Sequence, residues 1–427
     1  MDNLKTDNAP SISVVKPHFI FAAIDFFVLA ILIVLANKNL LNSYFDEKII
    51  AITHIAVLGW GTMVIIGALY QLIPIIFEVS LFSEILAKIN FWIFAVSIFL
   101  LSYSFWINAF STLLIYASIM LLISLLMFIT NVLLTHRKSN KKNIQAKFII
   151  TSIYWLLATV IFGTLIAFNF RFRFFPETHL HYLKIHAHLG LIGWFLLLIV
   201  GVASTLIPMF FISHNLNENK LKYSFYSINA GLIGLIIDWF LYNQNKLVWI
   251  NWFLVSLGIF FFFSYSVDSY KQRLRKVLDV GMKHTVISVL SVLIPVLISF
   301  IILTFNSGNL FLKRITTYYG FSIIFGFITS LILGQTYKTL PFIIWLEKYK
   351  PYVGKVKTPM PKDLYSEKIA EFQLYFYLLS VTVLSLALLL SSSVLISTGS
   401  YLFLITAVLY NYNLFKIVLH KTNIKAL

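Results

Sequence analysis

The chain contains no cysteine, and this absence excludes several kinds of site. Disulfide bonds, iron–sulfur clusters and thiolate-ligated metals all need cysteine sulfur. The absence does not identify the compartment in which the protein resides. The sequence also contains nothing that resembles a phosphate-binding loop, a hydrolytic triad or a pair of catalytic carboxylates.

Charged residues are scarce, at 11% of the chain against 59% hydrophobic residues. Apolar runs of about 20 residues recur from end to end, which is the length that a helix needs to cross a hydrocarbon layer about 30 Å thick. We therefore predict an all-α polytopic membrane protein with twelve transmembrane helices. The predicted spans begin near residues 17, 48, 83, 107, 147, 186, 222, 246, 284, 315, 370 and 396.

The predicted organisation is a single transmembrane domain over residues 17–421, between a tail at 1–16 and a tail at 422–427. The first 16 residues are polar and lack the layout of a cleavable signal, so we expect the first span to stay in place. The longest predicted connection, at residues 347–369, has the Pro, Lys and Gly content of a surface loop.

The basic residues are unevenly distributed along the chain. If both termini lie on one side of twelve spans, that side carries 25 of the 33 Lys and Arg residues, and the other carries eight. Positive residues concentrate on the cytoplasmic side, so we expect cytoplasmic termini in the inner (cytoplasmic) membrane. The net charge of +17 then lies against anionic lipid headgroups, and we expect no nucleic-acid partner.

One helical segment occurs more than once. "ITHIAVLGWGTMVIIGALYQLIPIIF" and "KIHAHLGLIGWFLLLIVGVASTLIPMFF" align when His54 is placed over His188, and a fainter third copy is "FSIIFGFITSLILGQTYKTLPF". The positions of His54, His188 and Phe321 are separated by 134 and 133 residues. This period predicts three homologous four-helix blocks, at about 17–140, 145–280 and 284–417, with pseudo-threefold symmetry.

In each copy the second helix of the block, here called the motif helix, carries two glycines at fixed offsets from the histidine position. The first motif glycines are Gly59, Gly193 and Gly326, and the second are Gly67, Gly201 and Gly334. In a regular helix they lie about 140° and 220° around from the histidine, so one face is small and suited to close packing. The opposite face presents the imidazole.

His54 and His188 are the main candidate binding residues. An imidazole within the hydrocarbon layer is costly unless it has a partner or lines a polar cavity, and it is a common ligand of haem iron, copper and zinc. The alternative is a structural histidine that bonds a neighbouring carbonyl, or an interfacial one that reaches headgroup water.

A denser cluster, "ETHLHYLKIHAH", lies at the outer mouth of the predicted sixth span. It contains His179, His181, His186 and His188. On a continuous helix the pairs seven apart, His179 with His186 and His181 with His188, share a face. The cluster is a candidate metal site, although no fixed-spacing metal motif is present. The alternative is an interfacial cluster that titrates near neutral pH.

Acidic residues within the predicted spans are further candidates. Asp25 and Asp238 are functional candidates because an intramembrane carboxylate is costly. Glu371 and Lys338 lie nearer the inner helix ends. For each of these groups, a bond to backbone or to another side chain is the competing structural interpretation.

This arrangement resembles subunit I of the haem-copper oxidases. The resemblance is carried by twelve spans in three blocks, termini inside, and histidines near the outer end of the second span of a block. It implies that His54 matches the ligand of the low-spin haem. His188, or otherwise His186, matches the copper ligand on the sixth span.

The sequence departs from that family where other ligands are expected. The seventh span, "YSFYSINAGLIGLIIDWFLY", has no histidine, and the tenth has Tyr319 and Phe321 where the family has haem ligands. We therefore expect a divergent relative, in a neighbourhood that includes nitric-oxide-response membrane proteins of the NnrS type, and not a competent terminal oxidase on its own.

Three functional hypotheses remain. The first is a protein that binds haem or a metal such as copper and acts in electron transfer or in nitric oxide or copper handling, with a redox partner or oxidase-type subunits. The second is a transporter or channel, since internal repeats and intramembrane ionisable groups also occur there. The third is a catalytically silent subunit that supports assembly.

The predicted orientation can be tested by cysteine labelling, because the chain has no native cysteine. Cysteines introduced at Asn140 and Lys355 should be protected from a membrane-impermeant maleimide in intact cells, whereas one at Glu177 should react. Labelling of residues 140 or 355 from outside would show the orientation to be wrong.

Overall fold

The computed structural model describes residues 8–242, 247–305 and 310–422, and its regular elements are helices. The long helices are α1 Ile12–Leu35, α2 Glu47–Phe77, α3 Glu84–Trp106, α4 Thr112–Arg137, α5 Ile144–Phe172, α6 His179–Phe211, α7 Asn219–Ile237, α8 Val248–Lys271, α9 Val280–Thr304, α10 Leu312–Tyr352, α11 Glu367–Leu390 and α12 Ser393–Val418. The predicted all-α class is confirmed.

Eleven of these helices are long and apolar enough to cross a membrane, as in a polytopic membrane protein. Large apolar side chains on their surfaces are exposed, among them Trp92 at 68%, Phe99 at 66% and Leu297 at 64%, which suits contact with lipid. The helix outside this set is α7, which begins with the basic sequence "NKLK". The sequence predicts twelve spans, whereas eleven helices among the described residues meet this criterion.

The helix ends correct two predicted boundaries. The first helix begins at Ile12, where the Ser11 side chain accepts a hydrogen bond from the Ser13 N–H, so residues 12–16 of the predicted tail are helical. The sixth begins at His179, seven residues before the predicted start. Residues 1–7 and 423–427 of the predicted tails lie outside the described residues.

The chain forms two compact units. The mid-chain unit contains Ile73–Leu100 and Ala109–Val277, and the end-chain unit contains Ala9–Leu72, Leu101–Asn108 and the chain from Leu278 onward. In the mid-chain unit α5 packs against α4 and α6, and α7 packs against α8. In the end-chain unit α1 packs against α2 and α12, α9 against α10, and α11 against α12. The first predicted block, 17–140, is divided between the two units.

The second motif glycine brings each motif helix close to the helix before it. A Cβ added at Gly67 would lie 2.7 Å from His18 Cβ. The corresponding distances are 2.6 Å from Gly201 to Phe148 Cβ and 2.7 Å from Gly334 to His284 Cβ. These pairs lie on α1/α2, α5/α6 and α9/α10, so the predicted small-residue face is the packing face in all three.

Each motif helix also contains a π-helical segment that sequence analysis did not predict. The three segments are Ile55–Thr62, Leu189–Leu196 and Ser322–Ile328. Each begins one residue after the histidine position of its copy. Because π segments are uncommon and occur often at functional sites, the region beside each histidine position is the natural place to look for function.

The glycine contacts predict a contrast between two substitutions in α10. Gly334→Ala should lower the free energy of unfolding by about 1–3 kcal/mol, because the added methyl group meets His284 Cβ and the Gly281 carbonyl. Gly320→Ala is the matched control, since nothing lies within 4 Å of its added Cβ. Denaturant unfolding in mild detergent measures both, and equal stabilities would contradict the packing described.

Candidate functional site

His54 is the last α-helical residue before the first π segment. The helix that carries it starts at Glu47, where the Asp46 side chain caps the Lys48 N–H at 3.0 Å and Glu47 complements the helix dipole. This cap places the imidazole about two turns inside the helix. The side chain is half-buried.

His54 and His188 hold the same local geometry. The Nδ1 atom of His54 lies 2.8 Å from the carbonyl oxygen of Ile50, and that of His188 lies 2.7 Å from the carbonyl oxygen of Lys184. A neutral imidazole that donates from Nδ1 keeps its lone pair on Nε2. Metal-ligating histidines commonly have this arrangement, with one nitrogen on a backbone carbonyl and the other available to the ligand.

The two imidazoles have different aromatic neighbours. The His54 ring stacks on Phe105 at 5.0 Å between centroids and 16° between planes. The His188 ring meets Trp239 edge-on, at 4.9 Å and 70°. The first contact lies within the end-chain unit and the second within the mid-chain unit.

The four-histidine segment forms the first ten residues of α6, so the predicted helical pairing applies. On one face, His179 Nε2 lies 3.3 Å from Asn169 Nδ2, and the His186 ring packs against Gly163, both on α5. On the other face, His181 hydrogen-bonds the Trp239 backbone and His188 contacts the Trp239 ring. The structure therefore places the four histidines as two pairs on two faces of α6. The four imidazoles do not meet at one point.

No group of three or more His, Asp or Glu side chains is arranged to hold a metal ion among the residues that the structure describes. The side chain of Asp238 has a different role. It is fully buried, and both of its carboxylate oxygens lie 3.3 Å from the Leu247 N–H at the start of α8. This contact supports the structural interpretation of Asp238.

The inner ionisable candidates pair with opposite charges. Lys338 Nζ lies 2.6 Å from Asp279 Oδ2, and Lys283 Nζ lies 3.2 Å from Glu371 Oε1. Asp25 differs, because its buried Oδ2 atom has no hydrogen-bond partner among the described residues.

Sequence analysis missed a buried polar network in the end-chain unit. Its centre is His284, on α9, which is fully buried. Its Nε2 atom lies 3.3 Å from Gln373 Oε1, its Nδ1 atom lies 3.5 Å from Ser330 Oγ, and its ring lies 5.4 Å from that of Tyr377. The signal that could have found it is its position opposite a motif glycine, which His18 shares in the first block.

Hydroxyl groups satisfy the carbonyl groups of the third π segment. Tyr377 donates to Phe325 O, Ser291 Oγ lies 3.0 Å from Gly326 O, and Ser288 Oγ lies 2.8 Å from Phe327 O. A π segment departs from the regular backbone hydrogen-bonding pattern, so side-chain donors can stabilise it within a membrane. At its start, Phe321 stacks on Phe325 at 5.0 Å in place of an imidazole.

No family model matches the chain, and no curated protein matches it significantly.

The His284 network predicts a measurable coupling between α9 and α11. His284→Phe and Gln373→Leu should each cost about 1–3 kcal/mol, because each leaves a buried polar partner unsatisfied. The double variant should cost less than the sum of the two. Unfolding in detergent of all four proteins measures the coupling, and strict additivity would show that the two side chains do not interact.

Proposed function

We propose that this chain is a divergent relative of oxidase subunit I that binds haem through His54 and acts in electron transfer or in the handling of nitric oxide or copper. The observation that carries the proposal is the imidazole geometry. His54 has Nδ1 bonded to a carbonyl of its own helix and a π segment immediately after it. The proposed setting is the cytoplasmic membrane, with both termini inside.

The three-block architecture belongs to the same proposal. It is supported by the recurrence of one local structure at three equivalent places: a π segment after the histidine position, and a glycine against the preceding helix. Under this proposal α7 is the seventh of twelve spans. The buried carboxylate of Asp238, the residue that follows α7, then lies close to the membrane surface at the start of α8.

His54 and the groups around it would suit haem better than a copper centre. A single imidazole with its Nδ1 hydrogen bonded to a carbonyl is the usual proximal ligand. The tenth-helix position that would complete a two-histidine haem site holds Phe321, and the described residues contain no three-donor group for copper. Under this proposal His54 would hold the haem, and any further iron ligand would come from another group.

Haem, when bound, supplies an iron that exchanges one electron or takes up a small diatomic ligand. The chain's own groups hold the His54 imidazole in one orientation. The Ile50 carbonyl selects the imidazole tautomer, and the Phe105 ring packs on one imidazole face and limits its rotation. His188 has the first feature but meets an indole edge instead of a ring face.

One observation favours the transporter hypothesis as a second candidate. Asp25 places a carboxyl group inside a membrane helix without a hydrogen-bond partner for its buried oxygen. Ion-coupled carriers use such groups. A colourless purified protein would favour this candidate, or a silent assembly subunit, over haem binding.

The test is the absorption spectrum of the purified protein with a pyridine haemochrome assay. The wild type should show a Soret band with haem bound. His54→Ala should abolish or shift that band, because it removes the axial nitrogen, while expression stays nearly unchanged.

His188→Ala is the matched control, since it removes an imidazole with the same backbone hydrogen bond and leaves His54 in place. Its spectrum should match the wild type. A band lost in His188→Ala and retained in His54→Ala would reverse the assignment. Wild-type protein without haem or stoichiometric metal would establish the structural interpretation of both histidines.

A further inference from the structure

Asp25 lies at the contact between α1 and the first π segment. A Cβ added at Gly59 would lie 2.2 Å from Asp25 Oδ2 and 3.0 Å from Asp25 Cγ, so the carboxyl group packs directly on the glycine backbone. Its Oδ2 atom is buried and has no hydrogen-bond partner among the described residues. An ionised carboxylate without a partner is strongly disfavoured at this depth.

The other blocks show what this position requires. In the three blocks, the first motif glycine faces Asp25, Trp155 and Ser291 in turn. Each of these residues lies seven positions after the residue of the same helix that faces the second motif glycine. In the third block, Ser291 Oγ lies 3.0 Å from the Gly326 carbonyl oxygen of the π segment and 2.8 Å from the Ser288 carbonyl oxygen, so both accept from its one hydroxyl group. In the first block a carboxyl group occupies the place of that hydroxyl donor.

A carboxylate cannot repeat this role, whereas a carboxylic acid can. The ionised form only accepts hydrogen bonds, and in the third block the backbone groups that contact side chains at this place are carbonyl oxygens, which also only accept. The protonated form carries one O–H donor. The chemistry of the position therefore favours the neutral acid.

No cation forms an ion pair with Asp25 in the part of the chain that the structure describes. From α12, the Asn411 amide donates to the carbonyls of Ala23 and Ala407, both at 2.9 Å, and so is already engaged. The nearest titratable group on the same face of α1 is His18, two turns away, whose Nδ1 bonds the Val14 carbonyl at 2.8 Å.

We propose that Asp25 is an intramembrane proton-binding site. In the resting protein it is a carboxylic acid packed against the Gly59 backbone, at the place that Ser291 takes in the third block. Loss of the proton leaves an anion against the Gly59 backbone, so proton release and the α1/α2 contact are linked. This site does not depend on whether His54 binds haem.

Infrared spectroscopy of the purified protein in lipid nanodiscs at pH 7 tests the proposal. A protonated carboxyl group gives a carbonyl stretch that shifts in D₂O, and ionised carboxylates lack it. The wild type should show this band, and Asp25→Asn should lose it. Asp25→Ser should also lose it while folding normally, because it copies the arrangement that the third block already uses.

The matched control is Asp238→Asn, which changes another buried carboxyl group in a helix but one that already accepts from a backbone N–H. It should retain the full band. Size-exclusion chromatography and circular dichroism establish that each variant is folded.

Three outcomes would overturn the proposal. These are a wild type without the band at pH 7, a band that survives in both Asp25 variants, and a band lost in Asp238→Asn instead. Comparison of the infrared band in sodium chloride with that in potassium chloride distinguishes proton binding from metal-cation binding. A band present only without sodium would assign the site to a monovalent metal ion and not to a resting proton.

Discussion

The constraint on which the rest depends is the close approach of each motif helix to the helix before it. Lipid gives two apolar helices little hydrophobic reason to associate, so backbone proximity at small residues must supply the attraction. The second motif glycines do this against His18, Phe148 and His284. Once this contact is made, a residue seven positions further along the first helix must face the first motif glycine, and that is where Asp25, Trp155 and Ser291 lie.

The π segments follow from a mismatch in that contact. Seven residues of an α-helix return to nearly the same face, whereas eight leave residues about 80° apart. The glycines of each motif helix are eight apart, yet both face one partner helix whose contact residues are seven apart. A π turn accommodates one additional residue, so it brings an eight-residue spacing back to one face. In each copy the π turn with its extra residue lies between the histidine position and the second motif glycine. The histidine position therefore comes just before the π segment.

This relation explains how much could be predicted from the sequence. The fold class and the packing face of the motif helix depend on hydrophobicity and glycine spacing, which are local. Prediction of the π segments requires knowledge of how two helices align, which one helix alone does not give. A regular helix with 100° per residue therefore predicted the correct packing face but placed the two glycines of each motif helix about 80° apart. The helix α7 carries Lys220 and Lys222 in its first turn. Because of this polarity, α7 is the predicted span with the least support from hydrophobicity.

The site was less predictable for the same reason. His284 looks like one polar residue in an apolar run until Gly334 places it beside α10 and α11 supplies Gln373. The four histidines of α6 are adjacent in sequence, but the helix directs them to two neighbours, as their seven-residue spacing predicted.

The hydrogen bond from each motif histidine to its own helix bears on both interpretations of these residues. A carbonyl four residues earlier satisfies Nδ1 whether or not a cofactor is present, so this bond alone allows a structural histidine as well as a ligand. The difference lies at Nε2, the nitrogen that this bond leaves as acceptor. His54 and His188 each stand immediately before a π segment, where the regular backbone hydrogen-bonding pattern is interrupted. Phe321 holds the same position in the third copy and stacks on Phe325, so an apolar ring also fits there.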